Sequence, residues 1–151
     1  MVTYNQYLVK EFIMEFADYF CFRLGAISRK MARHYNNKLV PYGITIVQSW
    51  VLFHLSGREG SSIKDIASAV QLDSPVVTGL VDRLVKEGLV IRQEDTNDRR
   101  SVKISITDRG SKIVDEVSAT VTEYNQRIRG IVKPEDLPAF ERALAALEAE
   151  L

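Results

Sequence analysis

The chain has 151 residues and a mass of 17.1 kDa, the usual size of one compact domain. Its hydrophobic content of 46% is enough for a core and too high for a disordered chain. The charges of its 20 basic and 20 acidic side chains cancel, so the formal net charge is zero. A single cysteine excludes an intramolecular disulfide and an all-cysteine zinc site, so we expect a reducing, cytoplasmic setting. Charged residues interrupt the apolar N-terminal stretch, which therefore predicts neither a membrane span nor a signal peptide.

The charge is unevenly distributed along the chain. Residues 19–58 contain six basic side chains and no acidic one. Such a zone attracts anions, whether a phosphate, an anionic ligand or an acidic partner. A solvated helix face has the same pattern, so both interpretations stay open.

The first predicted element is one long helix over residues 6–39, which runs to the break at 41–43. Its first half is apolar on most sides, and seven of the 13 aromatic residues precede residue 23. A helix that is apolar all round must be buried on more than one side. In a chain this short, we expect a partner subunit to cover it.

Two short helices follow, each with a start signal. Thr45 and Gln48 have the spacing of a capping box, in which each side chain bonds the other residue's free backbone N–H, and Ser62 and Asp65 repeat it. We therefore predict a second helix that begins after Thr45 and ends at Ser56. The third helix begins after Ser62 and runs to the turn at 71–73.

A fourth helix and a hairpin come next. Ser74 is the predicted N-cap, Pro75 takes the first helical position, and Gly88 stops the helix after about Glu87. The spacing of apolar residues then changes from the 3.6 residues of a helix to the two-residue alternation of a strand. This alternation covers 89–94 and 102–106, which predicts two strands joined by a polar tip at 95–100.

The chain is predicted to close with two further helices. Thr107 is the expected N-cap of a fifth helix that reaches about Val132. After a break at 134–138, a sixth helix ends at Leu151. Its apolar positions share one face: Phe140, Leu144, Leu147 and Leu151. The predicted fold class is thus mainly α with a small β-hairpin wing, in the order of a winged helix-turn-helix.

The fourth helix divides into two faces. At 100° per residue, one face is apolar and comprises Val77, Leu80, Val81 and Leu84. The opposite face comprises Pro75, Thr78, Gly79, Asp82, Arg83 and Lys86. Small residues near its N-terminus would let the helix enter a major groove, where Thr78 can reach a base edge or thymine methyl and Arg83 a guanine or phosphate.

The predicted hairpin tip carries a pair of arginines. Arg99 and Arg100 follow Asp98. Two arginines on a stiff ribbon suit the narrow, negative minor groove of DNA. Such a pair is more often simply solvated when it stands alone, but its position behind a helix-turn-helix favours DNA contact.

Residues 72–110 closely resemble the MarR family of bacterial transcriptional regulators. The runs DRLVKEGLV, DTNDRRSV and ITDRG are specific in combination, and the resemblance extends more weakly over the whole chain. It implies a homodimer whose helices one, five and six intertwine, so that 1–40 and 110–151 form the dimerisation helices and 41–109 the DNA-binding unit. Each subunit would present one winged helix to double-stranded DNA at a pseudo-palindromic operator.

The resemblance also implies roles for individual residues. Ser74, Pro75 and Thr78 match the base-reading end of the family's recognition helix. Asp98 and Arg100 match the wing acid and the wing arginine, and Asp73 matches an acid that can brace that arginine. The position after Thr78 is often basic in the family and is Gly79 here.

A small-molecule effector is the first predicted switch. Within the acid-free zone, Arg23 is expected near Tyr35, Trp50 and Phe53. Cations beside aromatic rings suit a small aromatic or anionic ligand, with a carboxylate paired and a ring packed. We therefore expect a repressor that such a ligand releases from DNA.

Oxidation of Cys21 is the alternative switch. Its surroundings resemble the peroxide-sensing branch of the same family, and Tyr35 lies at the place of one tyrosine that contacts the sensing thiol there. Gly25 and Ile46 stand where two other tyrosines would be. A sensing thiol needs solvent access, whereas the neighbouring phenylalanines indicate a buried core thiol.

Other classes of protein are less well supported by the sequence. A winged helix used only for protein contacts would leave Arg83, Arg99 and Arg100 without a role. A cysteine hydrolase would need a base and an oxyanion site, and the nucleophile-elbow, phosphate-loop and dinucleotide motifs are missing. His34 and His54 lack the spacing of metal ligands. We therefore predict no enzyme, no metal and no cofactor.

Overall fold

The computed structural model describes residues 15–94 and 102–151. Over these ranges the chain forms six α-helices, two short 3-10 turns and one hairpin, as the sequence predicts for a mainly α protein with a β wing. The elements are a 3-10 turn Phe16–Asp18, α1 Phe20–Leu39, a 3-10 turn Val40–Tyr42, α2 Ile46–Leu55, α3 Ile63–Val70, α4 Ser74–Lys86, β1 Val90–Glu94, β2 Val102–Ile106, α5 Asp108–Arg129 and α6 Leu137–Glu150.

Helix α1 is shorter than predicted. It begins at Phe20, because Tyr19 is extended with ψ of 133° and follows a 3-10 turn in which Phe16 folds back onto Phe22, their ring centroids 4.9 Å apart. The prediction of a continuous helix is therefore wrong over 15–19, and its part before residue 15 lies outside the described residues. The predicted end at 39 is confirmed, and Cys21 consequently lies in the first turn of α1.

The two predicted capping boxes are confirmed. The backbone N–H of Gln48 donates to Thr45 Oγ1 at 3.3 Å, and that of Thr45 donates to Gln48 Oε1 at 2.8 Å. In the second box, the N–H of Asp65 donates to Ser62 Oγ at 3.1 Å, and that of Ser62 to Asp65 Oδ2 at 3.3 Å. Hydrogen bonds from Ser62 lower the pKa of the Asp65 carboxyl below its ordinary value.

Helix α4 begins one residue earlier than predicted. Asp73 is the N-cap, with φ of −65° and ψ of 142°, so Ser74 is the first helical residue and Pro75 the second. Proline fits either of the first two positions equally well, because neither backbone N–H would have a partner within the helix. The predicted end is confirmed, since Glu87 is the C-cap and Gly88 has a left-handed φ of 69°.

The hairpin has the predicted strands in antiparallel register, from Val90 opposite Ile106 to Glu94 opposite Val102. Ser61, just before α3, pairs with Ile104 through two backbone hydrogen bonds of 3.0 and 2.8 Å. This bridge holds β2 against the helical part of the domain. The predicted tip lies outside the described residues.

The core lies where the C-terminal half of α1, the three helices α2 to α4, the base of the hairpin and the first half of α5 meet. Helix α5 ends at Arg129, three residues before its predicted end, and Ile131 beyond it is exposed. On α6, the predicted apolar face of Phe140, Leu144 and Leu147 is also exposed. No helix within 15–94 and 102–151 combines the length and apolar character that a bilayer crossing requires.

Candidate nucleic-acid interface

Helix α4 has the two faces that its sequence predicts. Val77, Val81 and Leu84 are fully buried, and Leu80 packs against the same core. The opposite side chains are all exposed: Pro75, Thr78, Gly79, Asp82, Arg83 and Lys86. The core fixes one side of the helix and leaves the other side exposed.

Apart from the half-exposed Val76, the side chains on the exposed part of the first two turns are small and uncharged. The Thr78 hydroxyl donates to the Ser74 carbonyl at 2.8 Å, so its proton is committed, and its methyl group and lone pairs remain available. A Cβ added at Gly79 would meet no atom within 4 Å, so packing does not require the glycine there. The glycine therefore leaves open space between the helix backbone and whatever lies against this face.

Arg92, which the sequence analysis did not single out, connects α4 to the wing. Its Nη2 lies 2.6 Å from Asp82 Oδ1, and both side chains are about half exposed. The pair neutralises the one carboxylate on the exposed face of α4. Alternation within β1 placed Arg92 on one side of the strand, but only the packing of strand against helix shows which residue it meets.

We expect Arg92→Ala to weaken DNA binding much more than it weakens the fold. An exposed ion pair contributes about 0–1 kcal/mol to stability, whereas an unpaired Asp82 would repel the phosphates. Fluorescence anisotropy against DNA and urea unfolding measure the two effects. Asp82→Asn in the Arg92→Ala background should restore much of the affinity, and no recovery would show instead that Arg92 contacts DNA directly.

The ITDRG run joins the end of α4, the first strand and the start of α5. Thr107 Oγ1 donates to the Gly88 carbonyl at 2.8 Å and accepts from the N–H of Gly110 at 3.0 Å. Arg109 Nη1 donates to the Glu87 carbonyl at 2.7 Å. These bonds fix the wing relative to α4, so the motif acts by positioning the interface.

The predicted wing contacts Asp98, Arg99 and Arg100 lie outside the described residues. The two strands that lead to them are described, and both start from the base that Ser61 and Thr107 hold. The roles of these three residues stay predictions.

Cys21 is exposed. Within the single described chain, the interpretation as a buried core thiol is wrong, because Phe20 is 79% exposed and Phe22 39% exposed and neither encloses it. The error has a physical cause: the sequence neighbours of a helical residue point in other directions, so their apolar character does not report its burial.

The four predicted ligand-binding residues do not line one cavity. Trp50 and Phe53 lie in the wall of a shallow cavity, widely open to solvent, of about 570 Å³ between α2 and the end of α3. Tyr35 instead packs edge-on against Tyr124, with ring centroids 4.4 Å apart, and its burial and the Tyr124 hydroxyl raise its pKa. Arg23 is exposed on α1 and is not among the lining residues.

His54 and Gln71 complete that cavity wall together with Ala69, Val70 and Leu72. His54 Nε2 lies 3.2 Å from Ser61 Oγ, and burial, followed by the Arg58 guanidinium, lowers the pKa of the imidazole below 6.5. Gln71 has a left-handed φ of 54° in the turn before α4. The spacing of four from Trp50 to His54 would have placed the histidine on the same helix face.

Comparison with known proteins agrees with this architecture. A sequence model of the MarR family matches residues 42–101. The HTH-type transcriptional regulator SarZ of Staphylococcus epidermidis is 32% identical over 129 residues, which are 83% of this chain and 82% of that protein. The organic hydroperoxide resistance transcriptional regulator of Bacillus subtilis is 31% identical over 136 residues, 89% of this chain and 90% of that protein.

One similar solved structure is that of a protein bound to DNA. The MepR–DNA complex of Staphylococcus aureus superposes with a TM-score of 0.81 at 26% identity, over 88% of this chain and 98% of that chain. The matched part includes most of the described helices and strands. The chain therefore belongs to the MarR family of DNA-binding, winged-helix transcriptional regulators.

Proposed function

We propose that the protein is a dimeric repressor in which α4 of each subunit enters the major groove of a pseudo-palindromic operator. The observation that carries this proposal is the exposed face of α4. The residues exposed in its first two turns are uncharged and, apart from Val76, small. Its two cations, Arg83 and Lys86, form no ion pair within the described ranges. Two such helices related by a twofold axis would meet half-sites about 10 base pairs apart.

Different residues have different roles in this proposal. Ser74, Pro75 and Thr78 lie at the end that enters the groove, where they contact base edges. Arg83 and Lys86 lie further along the helix and pair with a guanine or with phosphates. Asp98, Arg99 and Arg100, which come between the two strands in sequence, are assigned to contacts with the adjacent minor groove.

The same proposal assigns 41–109 to DNA binding and 1–40 with 110–151 to dimerisation. Its support is the apolar surface at the two ends of the described chain. Phe20, Leu24 and Ile27 on α1 and Phe140 and Leu144 on α6 are all at least one-third exposed. Exposed apolar side chains grouped in this way often mark an interface, and a second copy would remove them from water.

We expect Arg83→Ala to reduce affinity for a duplex selected from a random-sequence library by about 1–3 kcal/mol, if the guanidinium reads a base. A phosphate contact would instead weaken all sequences alike and reduce the salt slope by about one. Arg142→Ala on α6 removes another exposed arginine, which is far from α4 in sequence, and is the control. Unchanged binding in the folded Arg83→Ala protein would contradict the proposal, as would a footprint over a single half-site.

The effector that releases the repressor is proposed to be a small aromatic molecule in the Trp50–Phe53 cavity. Its volume of about 570 Å³ is within the usual range for ligand sites. The described residues of the wall include no lysine, arginine or carboxylate, which favours an aromatic ligand over a strongly anionic one. The amide of Gln71 and the indole N–H of Trp50 can hydrogen-bond a polar edge of the ring.

The position of this cavity suggests how a ligand would act. Gln71 and Leu72 belong to the turn that leads into α4, and His54 contacts Ser61, which is paired to β2. A ligand that fits one arrangement of turn and wing better than another would shift the population between them. A typical coupling of ~1–3 kcal/mol would change operator affinity about 5–150-fold.

Oxidation of Cys21 is the second candidate switch. Two observations favour it: the thiol is exposed in the first turn of α1, and the similar protein of Bacillus subtilis is named as a regulator of organic hydroperoxide resistance. The step would convert the thiol and a hydroperoxide ROOH into a sulfenic acid and the alcohol ROH. A polar group would then stand beside Phe20 and Phe22.

We expect the Cys21→Ser variant to separate the two switches. Trp50 is the only tryptophan of the chain and lines the cavity, so its fluorescence should report an aromatic ligand directly. A screen of aromatic compounds should find one that quenches Trp50 and releases DNA in both wild type and Cys21→Ser. If cumene hydroperoxide releases only the wild-type protein, and no aromatic compound acts, the thiol and not the cavity is the switch.

A further inference from the structure

Val76 has no evident role in the packing of α4. It is 50% exposed and is the one large apolar side chain of this helix that is exposed, whereas its neighbour Val77 is fully buried. It does not belong to the core or to the apolar residues packed against it. An exposed helix position favours alanine over a β-branched residue, so helix stability gives no reason for a valine.

The position of Val76 places it on the proposed DNA-binding surface. It is the third residue of α4, and Gly79 and Arg83 follow it at helical spacings of three and seven, so the three share one side of the helix. The first turn contains no acidic side chain. The open space beside Gly79 lets a base-pair edge approach this side closely.

We propose that Val76 is a specificity-determining residue that packs against the 5-methyl group of a thymine in each operator half-site. The thymine methyl is the one apolar group that base pairs present in the major groove, and an aliphatic side chain in the first turn of a recognition helix suits it. This inference rests on the proposed insertion of α4 into that groove. The inference assigns base recognition to a residue whose side chain cannot form hydrogen bonds.

Thr78 is the competing source of an apolar contact. Two residues separate by about 200° around a helix, so Val76 and Thr78 lie on opposite flanks of the exposed face and would meet different base pairs. The hydroxyl of Thr78 donates to the Ser74 carbonyl, which turns the hydroxyl toward the helix backbone. The two contacts can therefore be told apart by which thymine responds to which substitution.

The test replaces thymine by deoxyuridine, one position at a time, in a duplex selected by the wild-type protein from a random library. Deoxyuridine removes the methyl group and keeps every hydrogen bond. Wild-type protein should lose about fourfold in affinity at one thymine of each half-site, which corresponds to about 0.8 kcal/mol for one buried methyl group. Val76→Ala should bind the thymine and deoxyuridine duplexes equally at that position.

Two control variants complete the design. Thr78→Ser removes only a methyl group on the other flank, and Val40→Ala removes a valine that is 70% exposed outside the winged helix-turn-helix motif. Both should keep the fourfold discrimination at the Val76 position. Wild-type protein insensitive to every deoxyuridine, or Val76→Ala that still discriminates, would overturn the inference and leave DNA binding intact. Failure to select any duplex would overturn the proposed function as well.

Discussion

Gly110→Ala is expected to destabilise the fold by about 3 kcal/mol or more, at the upper end of what overpacking usually costs. A Cβ at this position would lie 2.1 Å from the Leu89 carbonyl oxygen and 2.7 Å from Cγ1 of Ile106. A backbone oxygen cannot rotate away as the end of a flexible side chain can. The start of α5 would have to move away from the hairpin, with loss of the Thr107 cap.

Urea unfolding followed by circular dichroism measures this effect, and Gly25→Ala is its matched control. Gly25 lies within α1, and a Cβ there would meet only the flexible guanidinium of Arg29 at 3.1 Å. The control should stabilise the helix by up to about 1 kcal/mol. A Gly110→Ala protein as stable as wild type would mean that α5 can shift freely relative to the base of the hairpin. This result would contradict the fixed geometry of the candidate nucleic-acid interface.

The sequence predictions are accurate where a feature depends on residues that are close together along the chain. A capping box depends on two side chains three residues apart, so Thr45 with Gln48 was sufficient to locate the start of α2. The two faces of α4 follow from helical periodicity alone. The start of α1 depends on a turn in which Phe16 folds onto Phe22, and an apolar run contains no signal for such a turn.

The candidate site shows the same limit. Arg92 neutralises Asp82 only because the first strand of the wing packs beside α4, a contact between elements that no local pattern encodes. The acid-free zone is continuous in sequence, but Arg23 lies in the first turn of α1, whereas α1 reaches the core through its C-terminal half. Arg23 therefore does not line the cavity that holds Trp50 and Phe53. The exposure of Cys21 was not predicted, because the apolar side chains of Phe20 and Phe22 point in other directions on the helix and do not enclose the thiol.

Gly79→Leu is expected to change stability and DNA binding in opposite directions. Glycine inside a helix is less favourable than leucine by close to 1 kcal/mol, and no atom lies within 4 Å of the added Cβ, so the fold should gain stability. The leucine side chain would fill the space between the helix backbone and the bases. Thr78 and Arg83 would then stand too far from the duplex to keep their contacts.

Each lost base contact corresponds to about 1–3 kcal/mol, so loss of even one of the two should lower affinity for the selected duplex about 5–150-fold. Gly79→Ala, with a smaller side chain, should give the same gain in stability and a smaller loss of affinity. Gly25→Ala should stabilise the protein without affecting DNA, which excludes stiffness of the chain as the cause. A stabilised Gly79→Leu protein with wild-type affinity would mean that this face of α4 does not lie against the bases, because no base edge could share that space with a leucine.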